Sequence, residues 1–294
     1  LYCSPWDRNA ACYADPDAYS DFYDAQLREL CGDYGPLFEV WFDGAGSAGY
    51  RYRWERIMRT VRELQPAAVV FNMGDPDIRW GGSETGYAHP DLWTVVDDTR
   101  RDVLWETEQR SLPSPGLYLP AEMDTTINRA GWFWHADSED KIRSLAELAG
   151  IYYRSVGHGA NLLLNLAPNP SGRLEEAEVA RLRELAAEIR RRFGQPVGEA
   201  ADGTEVLEIE LPRPALIDRF EAMEDLRQGE KVLEWVLEAQ IGRDGTGEPT
   251  WHRLAAGQAL GHKRLGDFAP IVARRLRLRA TQSRGPARLR RLRL

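Results

Sequence analysis

Short apolar runs alternating with helix-period segments constrain this chain more than any other feature. Leu37-Phe38-Glu39-Val40-Trp41-Phe42 ends on Asp43, with glycines at 44 and 46. Ala67-Ala68-Val69-Val70-Phe71 and Asn161-Leu162-Leu163-Leu164-Asn165-Leu166 have the same character. Runs this brief, bounded by turn residues, read as buried strands of a parallel sheet. Amphipathic segments lie between them. After Asp15-Pro16, residues Tyr19, Phe22, Tyr23, Gln26, Leu27 and Leu30 share one helical face, with Asp15 as N-cap and Pro16 at the first position. Further helices are expected from about Tyr52 to Leu64, Asp137 to Tyr153, and Leu174 to Phe193. This alternation predicts a parallel α/β layout.

Beyond Gly198 the period changes to two. Leu207, Ile209 and Leu211 alternate with Glu208 and Glu210, and Leu276 and Leu278 stand between arginines. Such segments, separated by Gly, Pro and Asp, read as an antiparallel β-sandwich. A boundary near 194–203 therefore divides a region of residues 1–197 from a sandwich of residues 198–294. Nine arginines lie between 274 and 293. Outward-facing arginines on the sandwich strands explain them more simply than a polyanion site does.

Composition narrows the functions. A net charge of −8 gives no reason to expect nucleic acid or an anionic membrane as partner, and no apolar run is long enough to span one. Cys3, Cys12 and Cys31 are odd in number and lack CxxC spacing, so free thiols are expected rather than disulfides or a zinc site. Ten tryptophans suit either core or sugar-facing walls. The chain opens on what reads as the tail of a strand, without Met or a signal segment, so it is expected to be a fragment lacking earlier elements.

Asp43 falls where a strand gives way to a Gly-containing loop. That position either fixes the turn or, in an α/β barrel, carries chemistry at the C-terminal mouth. After Phe71 comes a polar loop, 72–86, in which Glu84 stands between Gly82 and Gly86. Two carboxylates after successive strands would face one cleft, the nucleophile and acid that a retaining glycoside hydrolase requires.

Taken together, Tyr2-Cys3-Ser4-Pro5-Trp6-Asp7, Trp41-Phe42-Asp43-Gly44, Arg79-Trp80 with Gly82-Ser83-Glu84-Thr85-Gly86, Trp132-Phe133-Trp134-His135 and Asn161-Leu162-Leu163-Leu164-Asn165 resemble the α-L-fucosidases of glycoside hydrolase family 29. The resemblance implies a TIM-like (β/α) barrel, partial here, followed by a β-sandwich. It implies hydrolysis of terminal α-L-fucose from fucosylated glycans with retention, and neither cofactor nor metal. By the same resemblance Asp43 is the nucleophile and Glu84 the acid/base, with Tyr2, Trp41, Arg79 and Trp132 binding substrate. Glu122 and Asp124 compete with Glu84 for the acid role. The segment around Glu84 resembles that of the subgroup preferring α1,3- or α1,4-linked fucose, with Ser83 replacing that motif's Asn. The family's His-His-Asp-Gly-type segment is absent. Alternative readings are a glycan-binding protein without catalysis and a retaining glycosidase acting on another sugar.

Overall fold

A computed structural model describes residues 1–96 and 117–294. Strand β1 (Glu39–Trp41) pairs in parallel with β2 (Val69–Phe71). The chain start lies along the other edge of β1 through a parallel bridge between Tyr2 and Trp41. A parallel bridge from Phe71 to Ile78 leads to β3 (Arg79–Trp80). The short antiparallel pair β4 (Val95–Val96) and β5 (Leu117–Tyr118) follows in sequence. β3 pairs in parallel with β6 (Ala121–Thr126), and β6 with β7 (Asn161–Asn165). Parallel neighbours therefore run in the order chain start, β1, β2, β3, β6, β7.

Helix α1 (Pro16–Gly32) starts as its sequence predicts: Asp15 accepts from the backbone amides of Asp17 and Ala18. It packs with α2 (Trp54–Leu64) over the sheet, and Tyr19, Tyr23, Leu27, Ile57 and Val61 share a core with Val40, Phe42 and Val70. Fully burying each aliphatic side chain of this core contributes about 1.5–3 kcal/mol. Phe22 and Gln26, expected on the buried face of α1, are exposed. They flank the Tyr19–Tyr23–Leu27 row that meets the sheet. Helix α3 (Leu145–Arg154) opens on a Ser144–Glu147 capping box, later than the expected start at Asp137. It packs with α4 (Glu176–Phe193) behind β7. Strand β7 is half-buried rather than buried, and of Leu182, Leu185, Ala186, Ile189 and Phe193, which the helical period puts on one face of α4, only Leu185 is fully covered.

The remaining strands form one six-stranded antiparallel sheet, ordered β11-β10-β12-β9-β13-β8. They are β8 (Glu199–Gly203), β9 (Val206–Glu224), β10 (Val232–Arg243), β11 (Pro249–Gln258), β12 (Arg264–Ser283) and β13 (Leu289–Arg293). Leu207 and Ile209 from one end of β9 share a core with Phe220 and Ala222 from the other. The register sets Leu276 against Ile209 and Leu278 against Leu207, while Arg275 and Arg277 oppose Glu210 and Glu208. The arginines pair with carboxylates: Arg274 with Glu210 at 2.9 Å, Arg277 with Glu238 at 2.7 Å, Arg293 with Glu199 at 3.0 Å. All three cysteines are free thiols. Among the described residues no helix is long and apolar enough to cross a membrane.

Candidate active site

Strand alternation sorts the side chains. Val40, Phe42 and Val70 pack in a cluster with α1 and α2, and Ala121 and Met123 in a second cluster with Ala88, Leu92 and Ala160. Trp41, Phe71, Glu122 and Asp124 turn to the other face, where they meet one another. Trp41 stacks on Phe71 with centroids 4.1 Å apart, and Tyr2 stacks on Trp41 at 5.4 Å. The Trp41 indole N–H donates to Glu122 Oε1 at 2.9 Å, and Asn161 Nδ2 donates to Glu122 Oε2 at 2.6 Å. Glu122 therefore fixes the ring that supports Tyr2.

Asp43 lies just past the C-terminal end of β1. Its Oδ1 accepts from the Ala45 amide at 2.8 Å, and its Oδ2 accepts the Tyr2 hydroxyl at 2.5 Å. One oxygen holds the turn and the other takes a phenol donor. Burial, together with the neighbouring Asp43 charge, raises the Tyr2 pKa, so Tyr2 stays a donor. The loop after Asp43 packs against Trp6. A Cβ on Gly46 would stand 2.1 Å from that indole, and Gly46 has φ +74.

Glu84 follows the C-terminal end of β3. The Trp132 indole N–H reaches Glu84 Oε2 at 3.4 Å, and Asn165 holds the Trp132 carbonyl at 3.0 Å. Asp124, two residues along β6 from Glu122, accepts the Trp80 indole N–H at 2.8 Å. Burial pushes Asp124 up to about 6, and the negative charges of Glu84 and Glu122 add to the rise. Burial likewise raises Glu122, against its two donors. Beneath Trp41, Glu39 is pushed up to about 7, by burial first and by the Glu122 charge second. Contacts on this face therefore run from Asp43 through Tyr2 and Trp41 to Glu122, and the Glu84 charge acts on Asp124, the next residue of β6 on the same face.

Arg79 does not join this surface. Its side chain is 0% exposed and donates to the Trp93 carbonyl at 3.0 Å, and the charge of Glu230, from the C-terminal region, acts on it. Alternation on β3 sends Arg79 and Trp80 to opposite faces, so Trp80 takes the inward place expected of Arg79. Sequence reasoning gave no role to Trp80, Phe71, Asn161 or Asn165. The signal was present in part, since Phe71 and Asn165 end, and Asn161 begins, strands that were recognised. Among the described residues no group of three or more His, Cys, Asp or Glu side chains is arranged to hold a metal ion.

Fold and site together define an α/β protein with carboxylates and aromatic rings grouped at the C-terminal ends of parallel strands. A sequence profile described as Alpha-L-fucosidase matches residues 2–191. Alpha-L-fucosidase 1 of Arabidopsis thaliana is 32% identical, over 94% of this chain and 61% of its own length. A solved glycoside hydrolase 29 family member from an unknown rumen bacterium superposes with a TM-score of 0.83 at 33% identity, covering 98% of this chain and 56% of that one. A solved structure named SpGH29 gives 0.86 at 28% identity, covering 100% of this chain and 72% of that one. The chain belongs to the α-L-fucosidase family. It spans about three fifths of the length of its Arabidopsis relative.

Proposed function

We propose that this chain carries the catalytic centre of a retaining α-L-fucosidase acting on terminal fucose of glycans. The observation that carries the reading is the run of contacts from Asp43 through Tyr2 and Trp41 to Glu122, with Glu84 held by Trp132 on the loop after β3. In this reading residues 1–197 are part of a TIM-like barrel and residues 198–294 a β-sandwich that folds over itself.

The Asp43 carboxylate attacks the anomeric carbon as the bond to the leaving oxygen breaks, giving a covalent fucosyl-enzyme. Glu84 gives its proton to that oxygen, then takes one from the water that cleaves the ester. Tyr2 donates to Asp43 and so aims the carboxylate oxygen. Trp41 and Trp132 wall the sugar, and Glu122 is a positioning residue through the Trp41 indole. Asp124 is tied to Trp80, which leaves Glu84, exposed beside Trp132, as the proton carrier. Preference for α1,3- or α1,4-linked fucose rests on the Gly82–Gly86 loop.

The test is a pair of variants. Asp43→Ala abolishes turnover of every fucoside. Glu84→Ala slows poor leaving groups by about 100- to 10,000-fold, spares aryl fucosides with good leaving groups, and is rescued by azide. Azide rescue in Glu122→Ala, with Glu84→Ala near wild type, would reassign the acid.

A further inference from the structure

The loop that follows Asp43 is locked by a chain of three hydroxyls. Ser47 Oγ lies 2.9 Å from the Tyr52 hydroxyl, which in turn lies 2.7 Å from the Tyr13 hydroxyl. Tyr50 closes the group. Its hydroxyl donates to the Tyr13 carbonyl at 2.7 Å, and its ring stacks on Tyr13 with centroids 4.3 Å apart. Tyr13 belongs to the loop before α1, whereas Ser47, Tyr50 and Tyr52 lie between β1 and α2. Ser47 is 5% exposed. Burial raises the Tyr52 pKa, so its phenol keeps a proton to share. Phenylalanine at 52 would bury the same ring, so the hydroxyls add direction rather than apolar burial.

What they direct is the turn that touches the nucleophile. Ser47 N donates to the Gly44 carbonyl at 3.1 Å and closes a turn over residues 44–47. Within that turn the Ala45 amide donates to Asp43 Oδ1 at 2.8 Å, while Tyr2 aims the other oxygen, Oδ2. With the fucosyl ester on Oδ2, Oδ1 is its carbonyl oxygen. Water then attacks the anomeric carbon and its proton goes to Glu84. The bond from that carbon to Oδ2 breaks, and its electron pair returns to the carboxylate, shared by Oδ1. A hydrogen bond to Oδ1 strengthens as this charge appears. In the first step the same charge is consumed, so the bond gives no help there.

We propose that Ser47, Tyr52 and Tyr13 are positioning residues for the second half of the reaction. They hold the Ala45 amide on the Asp43 oxygen that recovers charge when the fucosyl ester is hydrolysed. This rests on the fucosidase reading.

The test follows the ester itself. Wild type, Tyr52→Phe and Ser47→Ala are inactivated with 2-deoxy-2-fluoro-α-L-fucosyl fluoride, freed of excess reagent, and assayed for returning activity. The first-order constants for inactivation at saturating reagent and for reactivation do not depend on how much of the protein is folded. Reactivation is expected to slow about 3- to 10-fold in both variants, with inactivation changed less than about twofold. Unchanged reactivation overturns the proposal. Equal slowing of the two steps also overturns it, since that is general distortion of the site. Failure to inactivate wild type would overturn the fucosidase reading instead. The clasp is then decided by hydrogen exchange. The Ala45 amide is expected to exchange about 3- to 10-fold faster in both variants, with the β1 amides unchanged. An unchanged Ala45 rate overturns the clasp.

Discussion

Glu39 shows how one residue can carry both a cost and a signal. Its carboxyl lies beneath the Trp41–Glu122 pair, and burial with the Glu122 charge lifts it from 4.5 to about 7. The folded chain therefore holds this proton to higher pH than the unfolded chain does. Between about 4.5 and 7 the folded state binds more protons, so stability falls as pH rises through that window. Glu39→Gln removes the charge, and is expected to raise stability at pH 8 by about 1–3 kcal/mol while leaving it nearly unchanged at pH 4. Denaturant unfolding at the two pH values measures this. An equal effect at both would mean that Glu39 is not held protonated by its surroundings. Asp43 could be read from sequence because an apolar run points at it and a glycine follows. Glu39 gave no such signal, since its position in the run says nothing of what lies opposite.

At the scale of elements, what could be read follows the hydrophobic pattern. Strands β1 and β2 and helices α1 and α2 could be placed because their buried faces are largely apolar, and α4 by the period of its leucines although only Leu185 among them is buried. Strand β6 could not be. It is buried along its whole length, yet it reads Ala-Glu-Met-Asp-Thr-Thr, because its inward face is polar. Strand β3 has only two residues and lay hidden in a polar loop, so the choice of face between Arg79 and Trp80 had no periodic signal behind it. The loop joining these strands to the site is pinned at Gly86, which has φ +74. A Cβ there would stand 2.8 Å from Ile151 Cγ2 and 3.0 Å from Thr125 Cγ2. Gly86→Ala is expected to cost about 1–3 kcal/mol of stability. It should also slow fucosides with poor leaving groups more than α-L-fucosyl fluoride, which needs no proton from Glu84. Equal slowing of both would detach the loop from the acid role.

At the scale of the whole molecule, a buried ionic group joins the antiparallel sheet to the parallel strands. Glu230 Oε2 accepts from both the amide and the hydroxyl of Thr94 at 2.9 Å. Arg264 reaches the Pro90 carbonyl at 2.7 Å. Burial pushes both Arg79 and Arg264 down to about 10, and Glu230 counters it at each. Glu230→Ala would leave two buried guanidiniums without that charge, and is expected to cost about 3–5 kcal/mol. Urea unfolding checks this, and a change below about 0.5 kcal/mol would show the group to be dispensable. The two kinds of sheet were legible as a change of period, but this junction was not, because its members are isolated in sequence and meet only in three dimensions.

The central claim is that Asp43 is the nucleophile, and mechanism-based trapping tests it most directly. The protein would be incubated with 2-deoxy-2-fluoro-α-L-fucosyl fluoride, digested, and its peptides sequenced by mass spectrometry. The account predicts one fluorofucosyl ester, on Asp43, lost in Asp43→Ala. An ester on Glu84, Glu122 or Asp124, or no ester at all, would contradict it.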